Sequence, residues 1–168
     1  MKEIGIFYGK NTVRSAEVAK RIQKAFGEEV ADIIEVEEAW KTEFEKYKYL
    51  IAGTSTWFDG ELPSYWDELI PELSTLNLKG RKVAIFGLGN QVEYPDNFVD
   101  GIGLLGDAFK RAGAILTGFT STTGYVYNKS LAEADSMFGG LALDMDNEPD
   151  KAGKKIIDWV EVLKKEFK

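Results

Sequence analysis

Hydroxyl-bearing residues and two cations cluster between residues 9 and 16, directly after the first apolar run of the chain. Thr12 and Ser15 supply the hydroxyls, and Lys10 and Arg14 supply the positive charges. Where such a segment runs straight into a helix, the unpaired N–H groups and the positive helix end also favour an anion. The pattern predicts a site for a phosphate monoester, although Thr12 or Ser15 could equally be an ordinary helix N-cap.

Two further loops carry one prominent aromatic side chain each. Trp57 stands in the loop 54–63, next to an Asp-Gly turn, and Tyr94 stands in the polar loop 88–97. An aromatic ring at the mouth of a sheet can stack on a flat heteroaromatic ligand, but either ring could instead pack over the sheet edge or lie in a solvated turn. Together with the phosphate loop, the two rings predict a site for a flat-ringed mononucleotide.

The composition excludes several kinds of chemistry. The 168-residue chain contains no His and no Cys, which removes Cys nucleophiles, most metal sites and every triad based on imidazole. A formal net charge of −7 disfavours nucleic acid and favours partners with basic patches. The sequence has no apolar run of about 18 residues, so we expect no membrane span. We also expect a cytoplasmic location and a monomer.

Short apolar runs alternate along the chain with longer segments of helical periodicity, a pattern typical of βαβ units around a parallel sheet. Because Asp32 and Glu35 interrupt the second apolar run, we expect that strand at an edge of the sheet. Strands are predicted at residues 4–8, 30–36, 49–53, 83–87 and 114–116, and helices at 13–26, from Pro63 to about 73, at 100–112 and at 150–167.

The alternation predicts an α/β fold, a three-layer sandwich around a doubly wound, five-stranded parallel sheet with the order 2-1-3-4-5. Ligands of such folds bind beyond the carboxyl ends of the strands, so the phosphate loop and both aromatic loops are expected at one edge. We expect a single domain over residues 1–168, with a polar insertion at about 118–139 before the apolar run 141–143.

The sequence resembles the flavodoxin family, specifically its long-chain type, over essentially the whole chain. The residues that carry the resemblance are Ile4-Gly5-Ile6-Phe7-Tyr8-Gly9 with Thr12, Gly53-Thr54-Ser55-Thr56-Trp57 with Gly60-Glu61-Leu62, Trp66-Asp67, Phe86-Gly87-Leu88-Gly89-Asn90-Gln91, Tyr94, Asp96-Asn97-Phe98 and Gly140-Leu141-Ala142-Leu143-Asp144-Met145-Asp146. Flavodoxins themselves exemplify the rule that the ligand binds where the strand order reverses. The segment 118–139 falls where long-chain flavodoxins split their fifth strand.

The resemblance implies a low-potential electron carrier that holds FMN non-covalently and has no substrate of its own. The implied partners are redox proteins with basic surfaces, a flavodoxin reductase and an electron acceptor. The implied cofactor-binding residues are Lys10, Asn11, Thr12, Val13, Arg14, Ser15, Thr56, Trp57, Phe58, Asp59, Gly60, Leu88, Gly89, Asn90, Tyr94 and Asp146.

Within that set, the resemblance assigns particular roles. The loop 10–15 would hold the phosphate, and Trp57 and Tyr94 would lie on opposite faces of the isoalloxazine. The peptide between Phe58 and Asp59 would face flavin N5. The backbone around Asn90 would meet the pyrimidine edge, and Asp146 would lie near the ribityl chain.

The phosphate loop departs from the family pattern of Ser/Thr, any residue, Thr, Gly, any residue, Thr. Lys10 replaces one hydroxyl and Val13 replaces the glycine, and a β-branched residue is strained wherever glycine supplied a positive φ or a close approach. Lys10 and Arg14 could offset this change by adding positive charge near the phosphate. Two hypotheses follow: a charge-assisted loop that retains FMN, or an altered site that binds FMN weakly, another anion or nothing.

Two other classes of protein share this fold. A flavodoxin-like quinone reductase would need a substrate pocket over the flavin, and the residues identify no such site. A response-regulator receiver needs an Asp near the end of the third strand, where this chain has Gly53-Thr54-Ser55. A receiver also needs an acidic pair after the first strand, which the sequence lacks.

Overall fold

The computed structural model describes residues 2–10, 12–39, 41–57 and 59–168. Its strands are, in chain order, β1 (Ile4–Tyr8), β2 (Ala31–Glu35), β3 (Tyr49–Ser55), β4 (Lys82–Leu88), β5 (Ile115–Thr117), β6 (Thr120–Ser121), β7 (Glu133–Ala134), β8 (Met137–Phe138) and β9 (Leu141–Leu143). Its helices are α1 (Val13–Phe26), α2 (Lys41–Lys46), α3 (Ser64–Asp67), α4 (Ile70–Leu73), α5 (Asp100–Arg111) and α6 (Ala152–Glu166). Among the described residues, every helix is too short or too polar to cross a membrane.

The main sheet has the predicted order β2-β1-β3-β4-β5 with all neighbouring strands parallel. Ile6 in β1 lies opposite Ile33 of β2 on one side and Ile51 of β3 on the other. All five residues of β1 are buried, whereas four of the five residues of β2 are only partly buried. The prediction that the mixed-polarity second strand lies at an edge is therefore confirmed.

The fifth strand position is shared by two segments. Both β5 and β9 pair with β4. The strand β5 pairs with the first half of β4, from Lys82, and β9 pairs with its second half, up to Leu88. The chain between them forms a small antiparallel sheet in the order β6-β8-β7. The polar segment predicted as an insertion therefore connects two short strands, β5 and β9, which pair with successive halves of β4.

Successive residues of the central strands pack into different layers. Phe7 enters a core beneath α3, α4 and α5, where it stacks on Phe44 with ring centroids 4.3 Å apart. Ile6 and Tyr8 enter the opposite core, against α1 and α6. This alternation is the period of a strand buried on both faces, and it produces the three-layer sandwich.

The helices lie where the sequence predicts them, with two exceptions: a proline divides one predicted helix, and one short helix was not predicted. The single helix predicted after Pro63 is two separate turns, α3 and α4, and Pro71 stands in the first turn of α4, where its missing N–H is tolerated. Trp66 and Leu73 of these two turns are both buried. The six-residue helix α2 was not predicted, because its sequence is too short and polar to show a period.

Candidate functional site

A cleft of about 380 Å³ opens at the carboxyl edge of the sheet, a volume typical of small-molecule sites. The predicted residues that line it are Thr12, Val13, Arg14, Ser15, Thr56, Trp57, Leu88, Gly89, Asn90, Tyr94 and Asp146. Ser55 and Met145 also line it and were not predicted. Asn11 and Phe58, with the peptide between Phe58 and Asp59, lie outside the described residues. The three loops expected to meet at one edge do so.

The first turn of α1 is open to a ligand. Thr12 stands at the N-cap, but its hydroxyl donates to the carbonyl of Gly9 at 2.5 Å, and the described residues provide no side-chain cap and no acidic residue in this turn. Ser15 is fully buried and its Oγ has no hydrogen-bond partner in the described part of the chain. Neither hydroxyl acts as a cap, so the helix N–H groups and the Ser15 hydroxyl are free to meet an anion.

Val13 is not strained. It is the first residue of α1, its side chain is 83% exposed, and it is not among the non-glycine residues with positive φ. The β-branched residue that does have a left-handed backbone conformation is Val99, with φ 48°, which is buried just before α5. The expectation that Val13 replaces a glycine needed for its backbone conformation is therefore wrong for this fold.

Lys10 is turned away from the cleft. Its Nζ lies 2.8 Å from Glu38 Oε1 and 3.7 Å from Glu35 Oε2, and its backbone N–H donates to Glu37. The hydrogen bond and the charge of Glu38 raise the pKa of Lys10 above its ordinary value. Lys10 does not line the cleft, which corrects the sequence prediction that it adds positive charge beside the phosphate.

Arg14 does reach the cleft, but its charge is already paired. Its guanidinium contacts the carboxylate of Asp146, with the two side chains 54% and 44% exposed. Asp146 also lies 3.4 Å from the side-chain amide of Asn90. The ion pair links α1 to the loop after β9, across residues that line the cleft.

Both predicted aromatic rings have a large exposed surface. Trp57 is 38% exposed and Tyr94 is 49% exposed. Trp57 is held in a tight turn by reciprocal backbone hydrogen bonds with Glu61 at 2.8 and 2.7 Å, and its ring meets Tyr65 edge-on at a centroid distance of 6.2 Å. The backbone N–H of Tyr94 donates to the Asn90 carbonyl at 2.9 Å. Rings fixed at their backbone and exposed to a cleft are suited to stacking.

The turn after Trp57 requires glycine. Gly60 has φ 91°, and a Cβ at this position would lie 2.6 Å from Asp100 Oδ2. The amide of Asn97 holds the turn by donating to the carbonyl of Asp59 at 3.3 Å. Asp59 and Gly60 stand next to the cleft but are not among the described residues that line it.

The hydroxyl of Thr56 and the backbone of Gly89 serve to hold the walls in place. Thr56 Oγ accepts from the N–H of Gly101 at 2.9 Å, which ties the end of β3 to α5. Gly89 donates to the carbonyl of Leu143 at 3.0 Å, and a Cβ on Gly89 would lie 2.9 Å from Val99. These contacts hold in place the ends of β3 and β4, after which Trp57 and Tyr94 stand.

Asp144 organises two of the loops and was missed as a site residue. Its buried carboxylate accepts from the backbone and amide N–H of Gln91 at 3.1 and 3.0 Å and from those of Asn147 at 3.0 and 2.8 Å. Burial opposes its ionisation, but hydrogen bonds from Asn147 and Gln91 outweigh burial and lower the pKa of Asp144. The only signal in the sequence is a charged residue directly after a buried strand.

The insertion lies along the loop that carries Tyr94. Val126 donates its N–H to the side chain of Gln91 at 2.7 Å, and Asn128 donates its N–H to the carbonyl of Pro95 at 2.7 Å. Further along, Ser130 Oγ donates to the carbonyl of Phe98 at 2.5 Å. The insertion therefore braces the wall of the cleft from outside.

Comparisons with known proteins agree with this architecture. The Flavodoxin family model matches residues 6–159. A flavodoxin from Nostoc sp. is 43% identical over 166 residues, covering 99% of this chain and 98% of that protein, and Flavodoxin 1 of Escherichia coli is 36% identical over 165 residues, covering 97% and 93%. The crystal structure of Fusobacterium nucleatum flavodoxin bound to flavin mononucleotide has a TM-score of 0.94 and 34% identity, with 100% of both chains covered. This chain belongs to the flavodoxin family.

Proposed function

We propose that this protein binds FMN non-covalently in the cleft and carries electrons at low potential between redox partner proteins. The observation that carries the proposal is the meeting, in one cleft, of an uncapped helix start, the unpartnered hydroxyl of Ser15 and the exposed rings of Trp57 and Tyr94. The crystal structure of a flavodoxin of the same fold, from Fusobacterium nucleatum, has flavin mononucleotide bound. This similarity supports the same ligand here.

The residues present fit the parts of FMN. The open first turn of α1 and the Ser15 hydroxyl suit the phosphate, since both offer hydrogen-bond donors without a partner. Trp57 and Tyr94 suit the flat ring system. Asn90 and Asp146 also line the cleft with polar groups, which suit the ribityl hydroxyls.

When bound, FMN supplies the redox chemistry by accepting and releasing electrons. The chain then has two tasks, to hold the flavin and to set how readily it takes up negative charge. Exposed carboxylates flank both rings: Asp59 and Glu61 beside Trp57, and Glu93 and Asp96 beside Tyr94. Negative charge at these positions opposes the addition of electrons, which supports a carrier that works at low potential.

We also propose that the protein acts in the cytoplasm as a monomeric, single-domain flavodoxin of the long-chain type. The split of the fifth strand position between β5 and β9 supports the long-chain assignment. The expected partners are a flavodoxin reductase and an electron acceptor with basic surfaces, because the chain carries a net charge of −7.

The experiment that tests the proposal is the visible spectrum of the purified protein, recorded as isolated and during stepwise reduction. We expect a yellow protein with one FMN per chain, whose bound flavin changes colour reversibly as it is reduced. A colourless protein that leaves the fluorescence of added FMN unchanged would contradict the proposal.

Steady-state oxidation of NADPH separates a carrier from a quinone reductase. The FMN-loaded protein alone is expected to oxidise NADPH no faster than free FMN, with or without a quinone. Addition of a flavodoxin reductase should start electron flow to the protein. Rapid, quinone-dependent oxidation by the protein alone would identify an enzyme instead of a carrier.

A further inference from the structure

Two buried side-chain polar atoms, Ser15 Oγ and Tyr65 Oη, have no hydrogen-bond partner within the described residues. They belong to different elements, α1 and α3, yet both lie at the β1–α1 loop. Buried polar groups in folded proteins are nearly always satisfied, and an unsatisfied one costs free energy. Two such groups at the same loop indicate a polar ligand there, and Ser15 is already assigned to the phosphate.

The ring of Tyr65 lies directly under the start of the phosphate loop. A Cβ built on Gly9 would fall 2.3 Å from Tyr65 Cζ, so the hydroxyl-bearing end of the ring rests on the Gly9 backbone. The hydroxyl lies beside the side chains of Thr12 and Ser55, and both of those residues line the cleft. Tyr65 does not itself line the cleft; its hydroxyl lies next to two residues that do, between the β1–α1 loop and the end of β3.

The hydroxyl is available as a donor. Burial, its largest influence, raises the pKa of Tyr65 to about 12, so the proton is retained at neutral pH. The neighbouring Thr12 hydroxyl already donates to Gly9. Lys10, which stands where the family pattern has a hydroxyl, is engaged by Glu38 and Glu35 outside the cleft.

We propose that the Tyr65 hydroxyl donates a hydrogen bond to the phosphate of the mononucleotide bound at the open start of α1. In this role it supplies, from α3, the hydroxyl that residue 10 lacks. The inference rests on the proposed function, FMN binding in the cleft. It makes Tyr65 a ligand-contacting residue that distinguishes FMN from riboflavin, which has no phosphate.

The test compares Tyr65→Phe with the unmodified protein by titration of the flavin-free form with FMN and with riboflavin, followed by flavin fluorescence. A hydrogen bond to a charged group is lost, so the Kd for FMN should rise about tenfold. The Kd for riboflavin should stay unchanged. The Tm of the flavin-free protein should not fall, because the variant removes an unsatisfied buried hydroxyl.

Tyr47→Phe is the matched control. The Tyr47 hydroxyl is satisfied by Asp32 at 2.9 Å, away from the cleft. Its removal should lower the Tm and leave the ratio of FMN to riboflavin affinity unchanged. A Tyr65→Phe variant that weakens both flavins equally, or neither, would overturn the inference.

Inorganic phosphate tests the contact without flavin. At millimolar concentrations it should raise the Tm of the flavin-free protein, and raise it less for Tyr65→Phe. Equal stabilisation of both proteins by phosphate would overturn the role of Tyr65. If neither flavin binds the unmodified protein, but phosphate raises its Tm more than that of Tyr65→Phe, the proposed function fails while the anion contact stands.

Discussion

At the scale of single residues, Arg14 and Asp146 control how much positive charge the cleft offers. Their ion pair is about half exposed, and a pair of this kind contributes only about 0–1 kcal/mol to stability. A dianionic phosphate can therefore compete with Asp146 for the guanidinium. The positive charge of Arg14, which the sequence suggested would help phosphate binding, is present, but it is paired with a carboxylate on the loop after β9.

Substitution of the pair should change FMN affinity in opposite directions. Asp146→Asn frees Arg14 and is expected to lower the Kd for FMN about threefold, whereas Arg14→Gln should raise it by a similar factor. Both effects should shrink at high salt, and riboflavin binding serves as the control without phosphate. If Asp146→Asn weakens FMN and riboflavin binding alike, the carboxylate acts mainly on the ribityl chain and not through the charge of Arg14.

Val13 provides a second test at the residue scale. Because Val13 has no positive φ and an exposed side chain, Val13→Gly relieves no strain. We expect the Kd for FMN to stay within about threefold and the free energy of unfolding to fall by about 0.5–1 kcal/mol, since glycine weakens a helix. The readouts are FMN titration and urea unfolding. FMN binding that is more than tenfold tighter would contradict this account of the loop.

At the scale of secondary-structure elements, Asp144 joins the loop after β4 to the loop after β9. Its carboxylate receives four hydrogen bonds from Gln91 and Asn147, and it stands one residue before Met145, which lines the cleft. Because these donors are on two different loops, the charge of Asp144 helps to fix the distance between two walls of the cleft.

Asp144 should make stability depend on pH. The pKa of Asp144 is lowered in the fold from an ordinary value of 3.8, so its ionised form stabilises the protein above about pH 4. That contribution is lost as the pH falls through the lowered pKa. Asp144→Asn should cost about 1–3 kcal/mol at pH 7, and the difference from the unmodified protein should narrow in acid.

Urea unfolding between pH 2 and pH 7 measures this dependence. Asp107→Asn, on the exposed face of α5, is the matched control and should differ little from the unmodified protein at any pH. A constant difference for Asp144→Asn across the whole range would show that its charge is not the stabilising feature.

The sequence predicted those elements whose pattern is local. β1 and α1 were predicted to the residue, since an apolar run ends at a loop and one apolar face then continues to Gly27. The helix after Pro63 was predicted too long because Pro71 divides it. No local pattern could show the split of the fifth strand position, which depends on both halves pairing with β4.

The site was predictable where residue type alone signals chemistry. Trp57, Tyr94 and Ser15 line the cleft as expected. The direction of Lys10 was not predictable, because it depends on acidic residues at 35–38, far along the chain. Nothing in the sequence around Tyr65 signals a site, and only the tertiary structure places its hydroxyl beside the phosphate loop.

At the scale of the whole molecule, charge is segregated between the two ends of the sheet. At the carboxyl end, exposed carboxylates are close in the chain to the cleft rings, Asp59 and Glu61 to Trp57 and Glu93 and Asp96 to Tyr94. At the amino end a depression of about 620 Å³ is lined by seven cations and one carboxylate, Glu3. Three of the cations, Lys2, Lys46 and Lys48, are paired with Asp32, Glu43 and Glu3. The other four are Lys79, Arg81, Lys82 and Lys168. Such a distribution orients the cleft toward a positively charged partner before contact.

If charge orients the cleft in this way, salt should change the rates of electron transfer to a basic and to an anionic acceptor in opposite directions. Electron transfer from the reduced protein to a basic haem protein should slow about tenfold between 10 and 150 mM ionic strength, whereas transfer to the anion ferricyanide should accelerate. Stopped-flow absorbance measures both rates. The same salt effect with both acceptors would contradict steering by the acidic end.

The most direct test of the central claim is titration of the flavin-free protein with FMN, followed by the loss of flavin fluorescence. We predict quenching that saturates at one FMN per chain, with a Kd below that for riboflavin because the phosphate meets the open start of α1. A protein that leaves FMN fluorescence unchanged, or binds riboflavin as tightly as FMN, would contradict the assignment of this cleft.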